Sequence, residues 1–292
     1  MNIDNIDIVT ANGVALTLSF NDPTAQNPYQ MKNLYGLDAD EIVAEFAGYS
    51  PEDTTNHNLS LKKREIVMRI QLNPNFAFQT YAELRDNLYR VISSGRSGLL
   101  TLNFKLATTT LASIQGFVTK VETPISTEVP EMQITVNCPD PRLVAPLPTV
   151  LDPSSFGGAF SVSDAVSTAP HGLRMGITWT AVSGHQPAVR ISDTENNPTW
   201  SFTLRLGDLL DTGVYDFVIG DELEINTNYG ERGVWMTRGG IRYPIADRVD
   251  RNSAWPMIYP GDNDFYIAAG GGETQGIWTW DYFEYDHTFW GI

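Results

Sequence analysis

The spacing of apolar and polar positions changes period along the chain, and each change marks an element. The cleanest pattern lies between Arg64 and Leu72, where Ile66, Met68, Ile70 and Leu72 alternate with mainly polar residues. Period-2 alternation predicts a strand with one buried face. Earlier, Ile8–Thr10 and Val14–Phe20 flank Ala11-Asn12-Gly13, and the Asn-Gly pair supplies the positive φ of a tight hairpin. Glu41–Phe46 reads as a further strand between polar loops. The period then lengthens. Tyr81, Leu84, Leu88 and Val91 or Ile92 recur at helical spacing, and Thr80 with Glu83 makes a capping box. The pattern predicts one helix over 80–93, ended by Gly95 and Gly98. Leu99–Phe104, Leu111–Val121 and Met132–Cys138 return to strand. The first part is an α+β unit, a small sheet assembly with one covering helix.

No helical period occurs after residue 150. Gly176–Thr180, Ala188–Ile191, Trp200–Leu206, Leu223–Asn226, Gly233–Met236, Asp264–Ala269 and Gly276–Tyr285 are short apolar runs bounded by Gly, Pro, Asn or Asp. Seven or more such strands predict a β-sandwich. In the last run, alternation sets Trp278, Trp280 and Tyr282 on one face and Ile277, Thr279, Phe283 and Tyr285 on the other. A strand apolar on both faces is buried on both, or is half core and half protein interface. The fold class is therefore mainly β, in two parts.

The boundary falls where Pro139, Pro141, Pro146, Pro148 and Pro153 crowd together. Proline removes ladder donors, so this segment reads as an extended linker and not as a central strand. Composition agrees with a split into 1–150 and 151–292. The first part holds all five lysines, with 11 basic against 16 acidic side chains. The second holds all seven tryptophans, with 8 basic against 19 acidic.

Charge and composition narrow the chemistry. A net charge of −16 argues against nucleic-acid recognition, which needs Lys and Arg to displace counterions from phosphates. No apolar run approaches the length of a membrane span, and the acidic start lacks the basic region of a secretory signal. The single cysteine, Cys138, excludes an internal disulfide framework and a cysteine zinc cage, as expected of a protein made in a reducing cytoplasm. It reads as an inert, partly buried thiol. His57, His171, His185 and His287 lack metal-ligand spacing and read as loop or surface residues. Asp262 and Asp264 fit turn chemistry better than calcium binding. Nucleophile-elbow and phosphate-loop motifs do not occur. Catalytic residues, metal ligands and cofactors are accordingly assigned as none, and the chain is not read as an enzyme. An exposed Trp or Tyr face in the second part could stack on a sugar ring, with core or interface as the alternative. Trp235, Trp255 and Tyr259 are the candidate binding residues there.

The order of these features resembles the distal tail (Dit) family of long-tailed bacteriophages. The matching pieces are the Asn12-Gly13 hairpin, Tyr35-Gly36-Leu37, the strand opening at Arg64, the helix with Leu84, Leu88 and Val91, Gly98–Leu102, and Ile134–Pro141. In the second part they are Gly220–Asn226, Trp255 to Asn263, and the aromatic last strand ending at Gly291-Ile292. The resemblance covers nearly the whole chain. It implies a hexameric ring at the distal end of the virion tail, assembled after synthesis in the bacterial cytoplasm. It implies a first domain that builds the ring and continues the tail tube around the DNA channel. It also implies an outward-facing second domain with a galectin-like or carbohydrate-module-like sandwich. The partners would be further copies of the chain, the tail tube protein, the tail-tip hub protein, and receptor-binding proteins or a host-surface glycan. Such rings use head-to-tail contacts. Arg85, Arg90 and Arg96, on or just after the helix, are expected to meet Asp38, Asp40 and Glu41 of a neighbouring copy. A carbohydrate-binding module or lectin-like adhesion protein is the alternative function.

Overall fold

The computed structural model describes residues 3–20, 27–38, 63–74, 79–123, 130–151, 159–180, 189–193, 201–204, 218–228, 230–269 and 278–291. The expected strand at Glu41–Phe46 lies outside them, as do His57 and His185. Two compact units emerge: Met1–Pro146 with Phe289–Ile292, and Leu147–Thr288.

The first unit is a rolled sheet. Its strands are β1 (Asn5–Thr10), β2 (Ala15–Ser19), β3 (Tyr29–Tyr35), β4 (Arg64–Leu72), β5 (Leu100–Leu106), β6 (Thr109–Glu122) and β7 (Glu131–Cys138). They pair in the order β6-β5-β1-β2-β3-β4-β7, and β6 also pairs with β7, which closes the circuit. All these pairings are antiparallel except β2–β3, which are parallel and meet at Ser19 and Gln30. The alternation in β4 becomes burial: Ile66, Met68 and Ile70 are fully buried and Leu72 nearly so.

The helix α1 (Tyr81–Ser97) packs on this sheet with Leu84, Leu88, Val91 and Ile92 buried. Burying a side chain of this size contributes about 1.5–3 kcal/mol. The capping box forms as expected: the Glu83 amide donates to the Thr80 hydroxyl, and the Thr80 amide donates to the Glu83 carboxylate at 2.8 Å. Gly95 does not end the helix, which runs on to Ser97 before the extended Gly98. An interior glycine costs only about 1 kcal/mol relative to alanine, and the packed turns before it offset that.

The proline-rich junction is more than a linker. Leu143–Val144 forms β8 beside β6, and Thr149–Leu151 forms β9 beside a strand of the second unit. The prolines sit between these short strands, where no ladder donor is needed. Cys138 ends β7 and is fully buried, and burial pushes its thiol up to about 12. Arg64 is buried as well. Its guanidinium donates to the Gly36 carbonyl at 3.1 Å and to the Trp290 carbonyl, while Phe289 packs on the same core.

The second unit is a sandwich, as the strand spacing predicts. Four strands, β10 (Ala159–Asp164), β17 (Gly261–Ala269), β12 (Val189–Asp193) and β13 (Ser201–Leu204), form one sheet in that order. The other contains β16 (Ile241–Pro244), β15 (Gly233–Arg238), β14 (Glu222–Asn226), β11 (Arg174–Trp179), β18 (Trp278–Tyr285) and β9. Phe160, Val162, Phe202, Leu204 and Phe265 from the first sheet meet Met175, Ile177, Leu223, Ile225, Val234, Met236 and Phe283 from the second. Strict alternation along the last strand fails at one point. The β11–β18 register shifts after Gly176, so Gly176 pairs with Tyr282 but Ile177 pairs with Trp280, leaving Asp281 as the extra residue. A bulge of this kind resets which face each residue takes. Tyr282 therefore lies on the outer face with Glu284, while Phe283 and Tyr285 are buried.

Candidate functional site

On the first unit, the expected arginines lie along the solvent side of α1. Arg85 and Arg90 are exposed, and Arg85 is 3.9 Å from its neighbour Asp86. Arg96 belongs to the helix backbone, its side chain lying outside the described residues. Asp38 is exposed, whereas Asp40 and Glu41 lie outside the described residues. Tyr81 and Tyr89, four residues to either side of Arg85, are 38% and 37% exposed. Residues four apart share a helix face, so the helix presents a Tyr–Arg–Tyr stripe.

On the second unit, the three candidate aromatics separate. Trp255 packs on the core, its ring 5.2 Å from Phe202. Tyr259 is half-buried, and its backbone is clamped by the buried Asn263, whose amide accepts from the Tyr259 N–H and donates to its carbonyl, both at 2.8 Å. Trp235 alone takes part in the outer face of the six-stranded sheet. There it belongs to a cross-strand row: Trp235 pairs with Glu224, Glu224 with Gly176, and Gly176 with Tyr282.

The row carries a mesh of charges. The Arg242 guanidinium lies 4.1 Å over the Trp235 ring and donates to Glu224 at 2.9 Å. Arg174 donates to Glu284 at 2.6 Å and lies 3.8 Å from Glu224. Burial, together with the Glu224 carboxylate, pushes the Tyr282 phenol up to about 12, with Arg174 and Arg242 acting the other way. The sequence could not expose this constellation, because Arg174, Glu224, Arg242 and Tyr282 come from four strands.

A second unforeseen group is buried. His171 and His287 are not loop or surface residues: His171 is 2% exposed, and both rings donate to Asp164, which is fully buried. The distances are 2.6 Å from His171 Nε2 and 2.9 Å from His287 Nδ1. The amides of Val166 and Ser167 donate to the same carboxylate at 3.2 and 3.1 Å. Burial would raise this carboxyl. The Ser167 and His171 side chains, the Ser167 amide and the charge at His171 outweigh it and lower Asp164 to about 2. Nε2 of His287 lies 2.8 Å from the Thr149 hydroxyl. Thr149, His287 and Asp164 thus follow the hydroxyl–imidazole–carboxylate order of a nucleophilic relay. Every remaining bond of the cluster goes to the fold itself, including the Thr288 amide on Ser167 Oγ and the Thr288 hydroxyl on the Ala169 carbonyl. Its role is structural. Among the described residues, no group of three or more His, Cys, Asp or Glu is arranged to hold a metal ion, and no helix is long and apolar enough to cross a membrane.

No family model and no curated protein matches this sequence. Solved structures do. The SPP1 Dit (gp 19.1) protein, described as a paradigm of the hub adsorption apparatus in phages infecting Gram-positive bacteria, superposes with a TM-score of 0.58. It shares 11% identity, over 96% of this chain and 98% of that one. A chain of the phage P2 baseplate in its activated conformation matches with a TM-score of 0.52 at 10% identity, over 99% of both chains. At this identity the likeness is one of fold, and over nearly its whole length the chain has a Dit-like fold of the kind found in phage baseplates.

Proposed function

We propose that the protein is a structural component of a phage tail tip, a distal tail protein whose copies form a hexameric ring between the tail tube and the hub. The observation that carries the reading is fold likeness along the entire chain, through both units, to SPP1 Dit and to a phage baseplate chain. In this role the rolled sheet of the first unit builds the ring and lines the channel for DNA. The second unit faces outward, towards receptor-binding proteins or the host surface. The reading assigns no catalytic step and no cofactor.

The ring contact is heterologous, so two different faces of the first unit must complement each other. Arg85 and Arg90, with Tyr81 and Tyr89 on the same helix, supply one face, since Tyr and Arg are enriched among residues that dominate binding energy. Asp38, Asp40 and Glu41 of the next copy supply the other, joined by Arg96 on the helix side. Particle mass in solution tests the ring. The expected particle is close to six times the 32.4 kDa chain, with a central hole in negative stain. Reversing the charge of Arg85 and Arg90 together is expected to shift it to smaller species. A chain that stays monomeric at high concentration and is missing from the tail tips of purified virions would overturn the proposal.

A further inference from the structure

We infer that the outer face of the six-stranded sheet is a docking platform for a neutral saccharide, centred on Trp235, Glu224 and Tyr282. The inference is independent of ring formation, which rests on the first unit.

Four adjacent strands contribute to one row, so Trp235 and Tyr282 stand three strand spacings apart, about 14 Å. Side chains on a sheet normally stand away from it. Here two glycines allow the rings to lie low. A Cβ on Gly233 would collide with the indole of Trp235, and one on Gly176 with the phenol of Tyr282. The rings are thus positioned without a ligand, which lowers the entropy that binding must overcome.

Between the rings, Arg174, Arg242, Glu224 and Glu284 form a mesh of zero net charge. Their side chains are 22–50% exposed. Exposed ion pairs add little to stability. A mesh of this kind instead holds guanidinium donors and carboxylate acceptors at fixed positions beside an aromatic face. A pyranose has the matching chemistry, with an apolar C–H face and a rim of hydroxyls that each donate and accept. A phosphate or uronate is disfavoured, because it would meet Glu224 and Glu284 in a half of the chain carrying 19 acidic side chains against 8 basic. The row is open along the sheet, which suits a short chain of sugars more than a single enclosed ring. Arg242 covers the indole in the free protein. An exposed cation–π contact is weak, so displacing it lowers affinity by only about two- to fivefold.

The test uses the full chain. Chitotriose, maltotriose and lactose serve as neutral probes and trigalacturonate as the charged control, with binding read by saturation-transfer NMR. At least one neutral probe is expected to bind with a Kd on the order of 1 mM. Trp235→Ala weakens it about tenfold or more, Trp235→Phe retains most of it, and Glu224→Gln weakens it severalfold. Glu224 is half-exposed, so that variant keeps the test valid if Trp235→Ala perturbs the sheet. Absence of signal from all three neutral probes, binding unchanged by both Trp235→Ala and Glu224→Gln, or equal binding of trigalacturonate would each overturn the proposal. Particle mass is measured separately, so ring formation and sugar binding stand or fall apart.

Discussion

Replacing Asp164 with asparagine keeps the size of a wholly buried side chain but removes its charge. The native carboxylate accepts from two histidine rings and two backbone amides within 2.6–3.2 Å. Its carboxyl lies at about 2 against an ordinary 3.8, and at 1.36 kcal/mol per unit that favours the ionised folded form by about 2–3 kcal/mol. Asparagine also presents an amide nitrogen to histidine donors, and breaking a buried charge pair costs about 3–5 kcal/mol. The expected loss at pH 7 is about 3 kcal/mol. Because the folded value is depressed, this stability is present above about pH 4 and is lost as pH falls towards 2, with roughly half gone by pH 3. Urea unfolding followed by tryptophan fluorescence is the assay. Six of the seven tryptophans lie in the second unit, so the signal reports the unit that holds Asp164. A loss below about 0.5 kcal/mol, or a gap between wild type and variant as wide near pH 2 as at pH 7, would refute the reasoning.

Three further outcomes are expected. Thr80→Ala removes the hydroxyl that caps α1 and lowers stability by about 1 kcal/mol in denaturant unfolding. Gly36→Ala and Gly13→Ala both place alanine at positive φ, but only at Gly36 does the new Cβ strike the Glu65 carbonyl. Gly13→Ala is expected to cost about 1 kcal/mol and Gly36→Ala several times that, ranked by thermal midpoint. Cys138, with its thiol raised to about 12, is expected to resist a thiol reagent at pH 8 in the folded protein and to react readily in urea.

Local features were legible in the sequence. The capping box of Thr80 and Glu83 and the alternation of Ile66, Met68, Ile70 and Leu72 need only neighbours within a few positions, and both form as read. Features that depend on register were not legible. The bulge at Asp281 sets Tyr282 opposite Gly176, which no count of alternating residues could reveal. The Asp164 cluster joins residues 7, 123 and 138 positions apart, so His171 and His287 read as scattered while the fold places both on one carboxylate. Of the aromatics singled out, Trp255 serves the core, because an irregular crossing gives no period from which a face can be assigned.

The short return of the chain to the first unit has a consequence for synthesis. Phe289 completes the core of that unit, and the Trp290 carbonyl receives the buried guanidinium of Arg64. A ribosome releases residues 1–146 long before either is made. The nascent first unit must therefore wait, with Arg64 lacking this acceptor, until the whole second unit has been translated. Its last folding step is post-translational, and a fragment ending at Pro146 would remain in that waiting state.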